Sequence, residues 1–110
     1  MTDPMPDPMT APMPGSFAAA LTAPAPSEDW PAPLAALWWS ARGEAGWARA
    51  HALVQDAAGP EAAWVHAHLH RIEGDAENAR YWYARAGRGV PDEPVAEERA
   101  VIAAALMQRP

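Results

Sequence analysis

Cysteine is absent from the 110-residue chain, which excludes disulfides and thiolate metal sites. Positive charge is scarce. Eight bases, all arginine, face fourteen acids, for a net charge of −6. Four of the acids (Asp3, Asp7, Glu28, Asp29) lie in the first 30 residues, so the remainder carries about −2. A non-specific nucleic-acid binder needs a basic face to displace counterions, and this chain has none to offer. No apolar run approaches the ~18 residues that span a bilayer. Met1–Pro14 has neither a basic nor an apolar region of the secretory-signal kind, so a cytoplasmic protein is expected. Nucleophiles are few. The serines are Ser16, Ser27 and Ser40, and Ser40 has no glycine elbow around it. A glycine-rich phosphate loop is also missing, because Gly87-Arg88-Gly89 reads as a helix stop.

Proline, by contrast, is crowded into one end. Nine of the thirteen prolines fall within the first 33 residues. Each fixes φ and removes a backbone donor, which forbids a continuous helix or a central strand. Residues 1–30 therefore read as a disordered, proline-rich tail, with one short helical turn around Phe17–Leu21 able to dock on the domain. Some 75 residues remain, near the lower limit for an unstapled domain. Such a domain needs dense burial or a second subunit, and six tryptophans supply bulk for either.

From residue 31 the punctuation is regular. Pro31-Ala32-Pro33 opens a helix that runs to Arg42. Gly43-Glu44 breaks it, and a second helix spans Glu44 to Ala58. Pro60 suits the first position of a third helix ending at Glu73. Asp75 is a good N-cap for a fourth, which stops at Ala86-Gly87. Val95 to Gln108 forms a fifth. Gly43 and Gly74 lie 31 residues apart, as do Pro60 and Pro91. The same shift superposes Ala36 on Ala67, Ala48 on Ala79 and Arg49 on Arg80, so a helix-turn-helix unit occurs twice.

In these residues the chain resembles the tetratricopeptide and SEL-like helical repeats. The second unit carries the pattern best, with Ala67, Gly74, Ala79, Tyr83, Ala86 and Pro91. Ala36, Trp39, Gly43, Ala48 and Pro60 carry it in the first. The resemblance implies an all-α domain over residues 31–108, made of two tetratricopeptide-like hairpins and a C-terminal capping helix. The functional expectation, a protein-interaction module, rests instead on the aromatic residues. On the capping helix, Val95, Ile102, Ala105 and Leu106 form an apolar stripe, while Glu97, Glu98 and Arg99 are expected to face water.

Two groups of residues are candidates for function. Tyr81-Trp82-Tyr83 and Leu37-Trp38-Trp39 each span roughly 200° of a helix, more than one core face accepts. The surplus suggests an aromatic surface for a partner protein, a peptide or a second copy of the chain, built from Trp38, Trp64, His68, Arg71 and Trp82. The alternative is a metal- or ligand-binding site. His66 and His70 are four residues apart on one helical face, and Glu73 continues that face. With His51 they form a donor set for a divalent ion such as zinc. The His-Glu-x-x-His pattern of a zinc protease is absent, since Ala67 follows His66.

Overall fold

A computed structural model describes residues 15–108, with side chains from Phe17 onward. The disorder expected of residues 1–14 lies outside the described residues. Every regular element among the described residues is helical: α1 (Gly15–Ala20), α2 (Ala32–Ser40), α3 (Gly43–Val54), α4 (Pro60–Glu73), α5 (Ala76–Arg85) and α6 (Val95–Met107). None is long and apolar enough to cross a membrane.

Helices α2 and α3 pack as one hairpin, and α4 and α5 as a second. Helix α4 also touches α2, α3 and α6, which makes it the centre of the bundle. Its sequence shows the consequence. Nine consecutive residues, Ala62 to His70, are buried, as expected of a helix covered on every side. Three of those nine are histidines, so polar groups sit in the interior and need partners.

The local signals explain the boundaries. Pro60 occupies the first turn of α4. At the other end Gly74 takes a left-handed conformation, φ 87°. Its amide donates to the Arg71 carbonyl and that of Asp75 to the His70 carbonyl, a Schellman closure. Asp75 then caps α5 by accepting from the Asn78 amide. The α2–α3 hairpin depends on Gly46, where a Cβ would lie 2.2 Å from the Trp39 carbonyl oxygen.

Three expectations need correction. Helix α3 stops at Val54, not Ala58. Residues 55–60 are all exposed, so helix propensity there has no packing to reward it. The segment after Ser16 meets the bundle through Phe17, Ala20, Leu21 and Trp30 and is not a detached tail. The turn expected around Phe17–Leu21 forms as α1 and docks. Phe17 is fully buried and stacks on Trp30 at 5.7 Å between centroids. The Trp38 indole donates to the Ala20 carbonyl at 2.7 Å, and Arg42 donates to the Leu21 and Ala23 carbonyls. Proline kept this segment from being one long helix without keeping it off the domain.

The third correction concerns α6. Glu98 does not face water and is almost wholly buried. Its carboxylate accepts from His68 Nδ1 at 2.7 Å, from Arg71 Nη1 at 3.0 Å and from the Tyr83 hydroxyl. Arg71 also donates to the Glu93 carbonyl. Half-buried Arg99 donates to the hydroxyl and carbonyl oxygens of Ser40, tying α6 to α2. Burial alone would raise the Glu98 pKa, but hydrogen bonds from His68, Tyr83 and Arg71 hold it below the ordinary carboxylate range. Burial outweighs the carboxylate for His68 and depresses its pKa. The arrangement is an ionised Glu98 balanced by Arg71, with a neutral His68 and Tyr83 as further donors. A buried charge so satisfied locks α4, α5 and α6 together.

Candidate metal centre

The seam between the two hairpins holds the other histidines. Trp47 and His51 are four apart on α3, so both face α4. His66, His70 and Glu73 descend one face of α4 at intervals of four and three. Trp82 comes from α5. The rings form a layered stack. Trp47 lies flat on His51, with centroids 5.0 Å apart and planes 8° from parallel. His66 lies flat on Trp82 at 3.9 Å and 16°. Between the two layers His51 meets His66 edge-on at 86°. His70 sits beside both, 4.9 Å from His66 and 5.4 Å from His51 by centroid. The Trp47 indole is pinned by a 2.6 Å hydrogen bond to the Leu69 carbonyl.

The nitrogen positions matter most. His51 Nε2 and His66 Nε2 are 3.1 Å apart. A ring nitrogen of His70 joins them, all three lying within 4.8 Å of one another. His70 is held by Glu73, whose Oε2 is 2.6 Å from Nδ1. An ionised Glu73 accepts a proton from Nδ1, and in a neutral ring that leaves the lone pair on Nε2, the orientation seen where a carboxylate supports a metal-bound imidazole.

The electrostatics favour the neutral forms of His51 and His66. Burial, then repulsion from His51 and His70, pushes the His66 pKa down to about 4. His51 is also lowered, by burial and by His70, against an opposing pull from Glu73. His51 and His66 are thus neutral at pH 7, and the proton shared between their Nε2 atoms must move to a far nitrogen before both Nε2 atoms can face an ion. The pairing within the protein is imperfect. His66 Nδ1 is buried with no hydrogen-bond partner, so the 3.1 Å contact leaves one polar atom unmet in either tautomer.

Metal geometry fits this arrangement closely. Two imidazole nitrogens at ~2.0–2.1 Å from a tetrahedral zinc ion stand about 3.3–3.4 Å apart. The observed 3.1 Å needs only a few tenths of an ångström of opening. His70 must close by up to about 1.4 Å to reach the same spacing. A cleft of about 580 Å³ lined by Ser40, Gly43, Glu44, Trp47, Ile72 and Glu73 borders the seam at Trp47 and Glu73. A second donor group, His70, Glu73 and Asp75, is weaker, because Asp75 already serves as the α5 cap.

No protein-family model matches the chain, and no curated protein or solved structure matches it either.

Of the residues singled out in the sequence, the structure brings together His51, His66, His70 and Glu73. It scatters the expected aromatic surface. Trp38 is fully buried against α1, His68 is fully buried on Glu98, and Trp64 is buried beneath the Arg88 side chain. Arg71 is engaged by Glu98 and Glu93, and Trp82 by His66. Trp64, His68 and Arg71 follow one face of α4, but all five side chains are engaged within the chain. The surplus of aromatics is resolved by a three-way division on α5: Tyr83 enters the core, Trp82 covers the histidines, and Tyr81 is exposed. Trp47 belongs to the site although the sequence pattern did not single it out. Its spacing of four from His51 was the available signal.

Proposed function

We propose that the protein binds one first-row divalent metal ion, of the zinc class, through His51, His66 and His70, with Glu73 orienting His70. The observation that carries this reading is the convergence of three imidazole nitrogens within 4.8 Å at a buried seam. An all-imidazole donor set suits zinc, copper and nickel, and the absence of cysteine removes the thiolate competitors. The ligands come from both hairpins, one from α3 and two from α4. The ion is therefore a clasp between hairpins, doing for this small domain what a disulfide does for others.

Isothermal titration of zinc into the full chain tests this. One equivalent should bind at micromolar affinity or tighter, and His51→Ala should weaken binding at least about tenfold, because a lone His66/His70 pair on one helix lacks the third donor. Absence of zinc, nickel and copper binding at micromolar concentrations would refute the reading.

A further inference from the structure

On the face of α4 turned away from the seam lies a pocket of about 300 Å³, lined by Trp64, Tyr83, Arg88, Glu93, Glu98 and Val101 among others. Its composition is aromatic rings and carboxylates, the chemistry that holds an organic cation. A cation already occupies it. The Arg88 guanidinium sits 3.5 Å above the Trp64 ring centroid, in van der Waals contact with the π face. This guanidinium makes no hydrogen bond and no ion pair with any described residue. It projects from the exposed Gly87-Arg88-Gly89 stretch at the Schellman closure of α5, where the Arg88 amide donates to the Tyr83 carbonyl. Arg71 differs sharply, being fixed by both Glu98 and the Glu93 carbonyl. Glu93 also lines the pocket, and its carboxylate likewise accepts no hydrogen bond from any described residue.

We propose that this pocket is a binding site for an alkylguanidinium, such as an arginine side chain presented by a peptide, and that Arg88 is its built-in stand-in. An incoming guanidinium, free of the backbone tether that holds Arg88, would lie on the Trp64 face and turn an edge toward Glu93, to make an ion pair that Arg88 does not make. Displacing Arg88 costs little, because it gives up one exposed cation–π contact and returns to water. The site is separate from the histidine seam and does not depend on metal binding.

The test uses N-acetyl-arginine amide as probe, with the neutral isostere N-acetyl-citrulline amide as control, followed by two-dimensional NMR of the full-length protein. The Trp64 indole signal is assigned by a Trp64→Phe variant. In Arg88→Ala, a change at an exposed side chain, the arginine probe should shift the Trp64 signal saturably in the millimolar range. Wild type should bind about two- to fivefold more weakly, the range expected for competition from one exposed cation–π contact. Glu93→Gln on the Arg88→Ala background should weaken binding again. The proposal is overturned if Arg88→Ala shows no saturable shift, if citrulline binds as well as arginine, or if wild type and Arg88→Ala bind equally.

Discussion

Glu73 decides which nitrogen of His70 is free, and that makes it the most informative single residue near the seam. It is exposed, so its removal should leave the fold intact. Glu73→Gln keeps the shape while weakening the hold on the Nδ1 proton. Zinc affinity should fall by about 10- to 100-fold, the usual cost of losing a supporting carboxylate. Thermal stability in the presence of chelator should be unchanged. A variant that binds zinc like wild type would show that Glu73 does not orient the ligand. His66 makes a second residue-scale prediction, this one about acid. Its folded-state pKa of about 4 lies below the ordinary 6.5, so between these values the unfolded chain binds the extra proton. Stability from this group is therefore complete above pH 6.5 and is lost as pH falls toward 4. His51, also lowered, adds in the same direction. Urea unfolding in chelator at about pH 7, 5.5 and 4.5 should show a falling midpoint that is flatter in His66→Gln; parallel curves would contradict the assignment.

At the scale of elements, glycine and proline made most boundaries legible. Pro60 to Glu73 and the Asp75 cap were readable because each depends on local backbone chemistry. The end of α3 was not, because Gln55–Ala58 is a competent helical sequence that lacks anything to pack on. Gly46 was also invisible as a determinant, since glycine inside a helix reads only as a weakness. The structure shows its use: α3 begins so close to the end of α2 that a methyl group would strike the Trp39 carbonyl oxygen and lie 2.5 Å from Arg42 Cβ. Gly46→Ala should therefore destabilise by about 1–3 kcal/mol despite its better helix propensity. A chemical-denaturation measurement showing stabilisation would mean the hairpin can open without cost. Glu98 was hidden for a related reason. It lies four residues before Ile102 and eight before Leu106, on the apolar stripe of α6, yet its charge argued for water. Its partners Arg71, His68 and Tyr83 come from two other helices, and no periodicity within α6 announces them.

For the whole molecule, the two hairpins are joined chiefly through α4, and the seam between α3 and α4 carries the histidines. The candidate site was half legible. The spacing of His66, His70 and Glu73 put three groups on one face, and His51 was recognisable as a candidate fourth. The tryptophans that sandwich them, and the Nε2-to-Nε2 approach across the seam, arise only when the hairpins dock. A metal ion at that place binds the folded protein and not the separated hairpins, so its binding energy appears as stability. The most direct test is thermal unfolding of the full chain in chelator and in zinc, for wild type and for His51→Ala. With zinc at about 100 times its dissociation constant the gain is about 2.7 kcal/mol. For a domain of this size that amounts to roughly 10–20 °C in Tm. Wild type should show that rise and His51→Ala, binding at least about tenfold more weakly, should lose half of it or more. An equal rise in both, or none in wild type, would contradict an ion held between the hairpins.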